Sequence, residues 1–278
     1  MTGASTGIGA ASARELARRG FHVFAGVRRD RDADALRAPG IEPVILDITQ
    51  PGHIAELAAR VGSRAGTLRA LVNNAGISVN APVEALPLEE WRRLFEVNLF
   101  GHVAVTQALL PDLLRHSGRV VNISSVGGKV AMATFGPYAG TKFALEAVSD
   151  ALRQEVAPLG MRVVVVEPGG VRTEMGERGI ATTSRLAEAM SPQHRGRYGP
   201  LVEAIKALTA AGTTGGTSTD TAARVIAKAV TAARPRTRYT VGRDAALLTR
   251  LSRMLPDRML DRLLAATLRP YYPKPTAG

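Results

Sequence analysis

Thr2-Gly3-Ala4-Ser5-Thr6-Gly7-Ile8-Gly9 runs directly into the helical pattern Ala10 to Arg19, which Gly20 ends. Glycines in such a turn let the backbone approach a phosphate closely, and the free N–H groups of a first helical turn favour an anion. The spacing Gly-x-x-x-Gly-x-Gly differs from the commoner Gly-x-Gly-x-x-Gly dinucleotide fingerprint. With Thr-Gly in front and a β-rich segment behind, it reads as a dinucleotide cradle rather than a plain strand-to-helix turn. A cradle of this kind follows a buried central strand, and nothing strand-like stands ahead of Thr2. The first strand is therefore expected to be missing from the chain. An initiator valine codon would explain it, turning a strand-ending Val-Thr-Gly into Met1-Thr2-Gly3.

Outward from the cradle, strand-like and helix-like segments alternate. Short β-rich runs are expected at Phe21 to Val27, Ile41 to Leu46, Leu68 to Val72, Arg119 to Ile123, Arg162 to Val166 and Arg238 to Val241. Between them lie helical patterns from about His53 to Arg64, Leu88 to His116, Tyr138 to about Pro158 and Thr219 to Ala233, the last capped by Thr219 or Asp220. This alternation implies an α/β fold, a Rossmann-type doubly wound parallel sheet in three layers. With 278 residues, no repeat and no linker-like run, one domain over residues 1–278 is expected.

Composition narrows the function classes. The absence of cysteine removes disulfides, thiol catalysis and cysteine metal sites, and no metal site is expected. The sequence shows no signal-peptide pattern and no apolar run near the ~20 residues of a spanning helix, so a cytoplasmic protein is expected. The net charge of +12 invites a nucleic-acid reading. Against it, the arginines are spread along the chain and aromatic residues are only 4%, too few for stacking platforms.

The ends of the strands carry the polar residues. Val27 fills the slot where an NAD-preferring enzyme usually places an acid, and Arg28 and Arg29 follow. Guanidinium groups suit a 2′-phosphate, so NADP is favoured, although Asp30, Asp32 and Asp34 keep NAD as the alternative. Asp47 and Ile48 end the next strand, and Asn73-Asn74-Ala75-Gly76 the one after, where amides can tie strands together and border a cofactor. Asn98 lies inside a long helix, where asparagine is a poor former. Ser124-Ser125 and Pro168-Gly169-Gly170-Val171-Arg172-Thr173 end two further strands at the edge where open α/β sheets bind ligands. Tyr138 and Lys142, four apart, share one helical face, and a cation beside a phenol favours the phenolate.

Together, Thr2 to Gly9, Asn73 to Gly76, Asn98, Ser125, Tyr138 with Lys142, and Pro168 to Thr173 resemble the single-domain branch of the short-chain dehydrogenase/reductase family in order and spacing. Within it the chain looks most like members acting on retinoids, steroids and other hydrophobic alcohols or ketones. The resemblance implies Tyr138 as acid/base, Lys142 as the residue that lowers the phenol pKa and holds the nicotinamide ribose, and Ser125 as the donor that orients the substrate oxygen. It implies that Asn98 anchors a water linking Lys142 to solvent. Gly3, Ser5, Thr6, Gly7, Ile8 and Gly9 would surround the pyrophosphate and ribose, Arg28 the 2′-phosphate, and Asp47 and Ile48 the adenine. Asn74, Ala75, Gly76, Pro168, Gly169, Val171 and Thr173 would line the ribose and nicotinamide. The implied activity is hydride transfer between NADP and a carbonyl or alcohol, in a homodimer or homotetramer built on the two long helices. A dehydrogenase running on NAD, or a catalytically idle dinucleotide-binding sensor or scaffold, is the alternative; the intact set Asn98, Ser125, Tyr138 and Lys142 argues against the idle protein.

From about residue 174 to 216 the pattern weakens, with helical pieces at Ser184 to Met190 and Leu201 to Ala210. In the family this stretch is a substrate lid. Ala245 to Leu255 and Pro256 to Leu268 alternate leucine and methionine with arginine at helical spacing. Such a stripe suits a core-facing helix, a pocket cover or a subunit contact, and it also suits peripheral contact with an acidic membrane surface.

Overall fold

The computed structural model describes residues 1–64 and 66–273. Among the described residues six short strands form: β1 (Val23–Val27), β2 (Ile41–Ile45), β3 (Ala70–Asn73), β4 (Arg119–Ile123), β5 (Arg162–Pro168) and β6 (Arg238–Val241). All the pairings between them are parallel, with Val23 opposite Ile41, Ala70 opposite Arg119, Arg119 opposite Arg162 and Val165 opposite Arg238. The Val-rich β4 and β5 are buried almost throughout, as strands covered on both faces must be.

The sheet is in two pieces, β1-β2 and β3-β4-β5-β6. Met1 to Ala4 lie between them, in the place expected for the first strand, without forming one. The Gly26 N–H donates to the Met1 carbonyl at 2.8 Å and the Ala4 N–H to the Gly26 carbonyl at 2.8 Å. On the other side the Thr2 N–H donates to the Val72 carbonyl at 3.0 Å.

Helices cover both faces. On one side α1 (Gly7–Arg18) packs on α9 (Thr219–Thr231) through small residues, Ala10 and Ala13 against the alanine-rich face of α9. On the other, α3 (Pro51–Ser63), α5 (Gly101–Arg115) and α6 (Gly136–Val156) close a second core that includes Leu57, Val105, Leu109 and Val156. The expected helix from Leu88 is α4 (Leu88–Phe95), which continues through a π turn (Glu96–Phe100) into α5. The helix Leu88–Arg115 is long and apolar enough to cross a membrane by length and composition, which the reading of apolar runs did not show. Its buried residues Leu94, Val105, Leu109 and Leu113 instead face protein.

The segment after Arg29 forms a short helix, α2 (Asp30–Leu36), whose first turn holds Asp30 and Asp32 where acids complement the helix dipole. Two expectations need correction. The lid is more helical than its sequence suggests: α7 (Glu174–Glu188) starts directly after Thr173, and α8 (Pro192–Gly215) runs through Pro200. Ser218, not Thr219 or Asp220, caps α9, accepting the Thr221 N–H at 3.3 Å. Two further helices, α10 (Arg243–Met254) and α11 (Asp257–Leu268), match the expected amphipathic pair.

Candidate active site

The glycine turn is held shut from two sides. The Thr2 hydroxyl, buried between sheet pieces, accepts the N–H groups of Asn74 at 2.9 Å and Ala75 at 3.0 Å. The Asn74 amide donates to the Gly3 carbonyl at 2.8 Å and the Thr2 carbonyl at 3.2 Å. A side chain at Gly9 would run into the Gly3 carbonyl and stand 2.7 Å from Asn74 Nδ2, and Gly3 itself has φ +64°. Gly7 faces Thr173, and a Cβ there would meet the threonine methyl at 3.2 Å. Thr6 makes no side-chain cap, so the first N–H groups of α1 stay available to an anion. Gly3, Gly7, Gly9, Asn74, Ala75 and Thr173 thus share one rim, which Ser5, Thr6 and Ile8 continue. These residues fit a dinucleotide pyrophosphate.

At the adenosine end, Arg28 is exposed beside Asp47, while Arg29 is turned to Asp32 at 3.2 Å. Burial works against ionisation of Asp47, but the Thr49 N–H and hydroxyl, together with Arg28 and His53, outweigh it and hold the carboxyl below its usual range. Ile48 is buried in the core against Gly101, so its side chain packs rather than lines an open ledge.

The π turn places Asn98 fully inside, facing the loop after β3. Its Nδ2 also reaches the Thr141 hydroxyl on α6 at 3.1 Å. These contacts hold loop and helix together, a task beyond the water anchor that the resemblance implies.

Tyr138 enters at the first turn of α6, where Pro137 sits at a position that needs no N–H. Its phenol is half-buried, and burial pushes its pKa up, with the Ser125 hydroxyl opposing. Lys142 stands beside the phenol and is also tied to the backbone. Its Nζ donates to the Ile123 carbonyl at 2.9 Å and stands 5.8 Å from the centre of the Tyr138 ring. Burial lowers the lysine to about 8, and the Glu146 charge raises it. Ser125 stands beside Tyr138, its Oγ accepting the Gly127 N–H at 3.0 Å, whereas Ser124 is buried beneath Gly128. Pro168 and Gly169 close the far side, the Gly169 N–H donating to the Val241 carbonyl at 2.9 Å, and Val171 bridges to Thr217.

Several participants escape a reading of the sequence. His102 is buried, its Nε2 2.6 Å from the Ala75 carbonyl, and burial with the Lys142 charge lowers its pKa to about 3. The neutral ring therefore donates to Ala75. Asn73 donates to Thr106 and to Asn122, each at 2.9 Å, and Asn122 to Ser149 at 2.8 Å, a polar seam from α5 through β3 and β4 to α6. Glu146, one helical turn beyond Lys142, meets Lys129 at 2.7 Å and Arg238 at 2.9 Å, and Arg238 reaches Glu167 at 3.3 Å. The signal was present for Glu146, which shares the Lys142 face, and for Glu167, an acid in an apolar strand.

The family model for the short chain dehydrogenase matches residues 1–183. Retinol dehydrogenase 7 from Mus musculus is 36% identical over 273 residues, covering 95% of this chain and 86% of the relative. A solved short-chain dehydrogenase from Streptomyces avermitilis is 32% identical with a TM-score of 0.74, covering 96% of this chain and 93% of that one. A short chain dehydrogenase from Burkholderia cenocepacia, solved with NADP, is 26% identical with a TM-score of 0.72, covering 96% and 94%. With the cradle and the Ser125–Tyr138–Lys142 cluster assembled on one sheet edge, the chain belongs to the short-chain dehydrogenase family, oxidoreductases that act on CH–OH groups with a nicotinamide cofactor.

Proposed function

We propose that the protein is an NADP-dependent oxidoreductase for a hydrophobic carbonyl or alcohol. The observation that carries the cofactor preference is Arg28, exposed at the end of β1 next to buried Val27, with no acid in the position that would hold ribose hydroxyls. Its guanidinium suits a phosphate dianion. The NADP held by the Burkholderia cenocepacia relative supports the same reading.

A nicotinamide cofactor supplies or accepts the hydride. Gly3 to Gly9, Asn74 to Gly76, and Pro168 to Thr173 would hold it. In reduction, Tyr138 gives its phenolic proton to the substrate oxygen while Ser125 donates a hydrogen bond to that oxygen; in oxidation the proton returns to Tyr138. Both donors act where negative charge develops, so they lower the barrier more than they aid ground-state binding. Lys142 contributes a buried positive charge near the ring and is available to a ribose hydroxyl. Asn98 keeps the loop that starts at Asn74 in register with α6.

The substrate class is supported by the name of the Mus musculus relative, a retinol dehydrogenase. Exposed Phe100, Phe143 and Val148 on the two long helices support a homo-oligomer. Exposed Leu247, Met254 and Met259 among the arginines of α10 and α11 favour a second reading, peripheral contact with an acidic membrane surface. Co-sedimentation with anionic vesicles at low salt tests that contact, and failure to co-sediment removes it.

The cofactor reading is tested by titrating the protein and Arg28→Ala with NADPH and NADH and following nicotinamide fluorescence. Loss of one charge-assisted contact should weaken NADPH roughly 10- to 100-fold and leave NADH little changed. An equal effect on both cofactors would overturn the preference.

A further inference from the structure

One helical turn beyond Lys142, α6 carries a second buried ionisable group, Glu146. Its Oε2 is held by Lys129, from the loop after Ser125, at 2.7 Å and by Arg238 of β6 at 2.9 Å. Arg238 also reaches Glu167 of β5 at 3.3 Å and Asp150 of α6 at 2.7 Å, and Arg153 pairs with Asp150 at 2.9 Å. Glu146 Oε1 is buried and makes no hydrogen bond among the described residues. Lys142 and Glu146 pack around the same glycine: a Cβ at Gly128 would stand 3.1 Å from Glu146 Cγ and 3.1 Å from the Lys142 carbonyl.

We propose that Glu146 is a positioning residue that acts through Lys142, its charge keeping the buried lysine an ammonium, an inference that rests on the reading of Lys142 as the cation of the site. Residues four apart on a helix share a face, and the attraction between opposite charges is far stronger in a dry interior than in water. Burial lowers the Lys142 pKa from an ordinary 10.5 to about 8, and the Glu146 carboxylate opposes that loss.

The other titratable groups beside Lys142 supply no such charge. His102 on α5 is neutral, and burial keeps the Tyr138 phenol protonated. Around Glu146, Lys129 and Arg238 hold the carboxylate in place. Burial and the Glu146 charge push Glu167 up, with Lys129, Arg238 and Arg253 of α10 pulling it down. Buried ion pairs add little stability over apolar packing, so stability alone does not account for this cluster one turn behind Lys142.

The charge of Lys142 can be read directly in the cofactor-free protein, labelled with carbon-13 at lysine Cε, by NMR titration, with Lys142→Arg identifying the signal. In the unaltered chain the signal should titrate near pH 8. Glu146→Gln keeps the shape and an acceptor for Arg238 but loses the charge, and its Lys142 should titrate about one pH unit lower. A merely structural role gives the opposite sign, because a loosened interior admits water and lets the lysine return toward 10.5. An unchanged or higher Lys142 titration in Glu146→Gln would overturn the proposal. Should that variant not fold, Lys129→Gln takes its place: it leaves the Glu146 charge less compensated, so Lys142 should titrate higher, and no change would equally overturn the proposal.

NADPH binding carries the effect to the site. Relative to the unaltered chain, Glu146→Gln should bind NADPH about fivefold more weakly at pH 8 and within about twofold at pH 6, as expected when the ammonium fraction at pH 8 falls from about half to about a tenth. A lowered lysine titration with unchanged NADPH binding at pH 8 would support the charge control and refute instead the ribose contact of Lys142, so the two readings fail separately.

Discussion

The Asn98 carboxamide brackets the backbone of Ile77: Nδ2 donates to the Ile77 carbonyl at 2.9 Å, and Oδ1 accepts the Ile77 N–H at 2.9 Å. Replacing Asn98 by alanine strands both partly buried Ile77 groups, at up to about 1–3 kcal/mol for each. Asn98→Ala should therefore lower the midpoint of urea unfolding and reduce kcat, because the loop that starts at Asn74 loses its register. Asn98→Asp keeps the acceptor and loses the donor, and should fall between the two. Denaturant melts paired with turnover measure both effects.

Gly9→Ala places a methyl group against the Gly3 carbonyl and Asn74 Nδ2, and neither can move without opening the Thr2–Asn74 strap. The expected result is loss of cofactor binding by at least tenfold, seen in fluorescence titration. Gly20→Ala meets nothing nearby, but Gly20 has φ +84° and should lose stability alone. A Gly9→Ala variant that binds cofactor normally would contradict the placement of the cradle.

Tyr138→Phe keeps the ring and removes the proton. Turnover should fall at least ~10²-fold while cofactor affinity stays within about twofold. Stopped-flow traces and binding titrations separate these. Near-normal turnover would rule out Tyr138 as the acid.

Acid should destabilise the protein partly through His102. Its folded pKa is about 3 against an ordinary 6.5. Between those values the unfolded chain binds the proton and the folded one does not. Stability contributed by the neutral ring therefore falls as pH drops from 6.5 toward 3, by at most roughly 1.4 kcal/mol per pH unit. His102→Gln can still donate to the Ala75 carbonyl without titrating, and its unfolding free energy should vary less steeply over pH 4–6.5.

The parallel α/β order was legible because most strands are short apolar runs next to polar residues, as Val120 to Ser125 illustrates. Ser125 could be told from Ser124 only through the resemblance, which implies the family's serine-to-tyrosine separation, and the structure turns Ser124 into the core. Other features depend on distant partners and left no local mark. The π turn at Asn98 is set by Ile77 and Thr141, far off in sequence. Lys142 reaches Ile123 because α6 lies against the end of β4, which no four-residue spacing reveals. Pro200 read as a helix end because proline removes an N–H, yet α8 absorbs it between Gly199 and Leu201. The helix after Arg29 left no local mark because it is short and mostly charged, with no apolar stripe to declare it.

The seam from Thr106 through Asn73 and Asn122 to Ser149 has a consequence for how the molecule breathes. Its four side chains belong to two strands and two helices, so none of these elements can open alone without stranding a buried amide or hydroxyl. Backbone amides of β3, β4, α5 and α6 should exchange with deuterium as one slow cooperative unit. No such seam joins α7 or α8 to that unit among the described residues, so the lid should exchange early and independently. The half of the site that performs proton transfer would then stay fixed while the half that recognises substrate samples open forms.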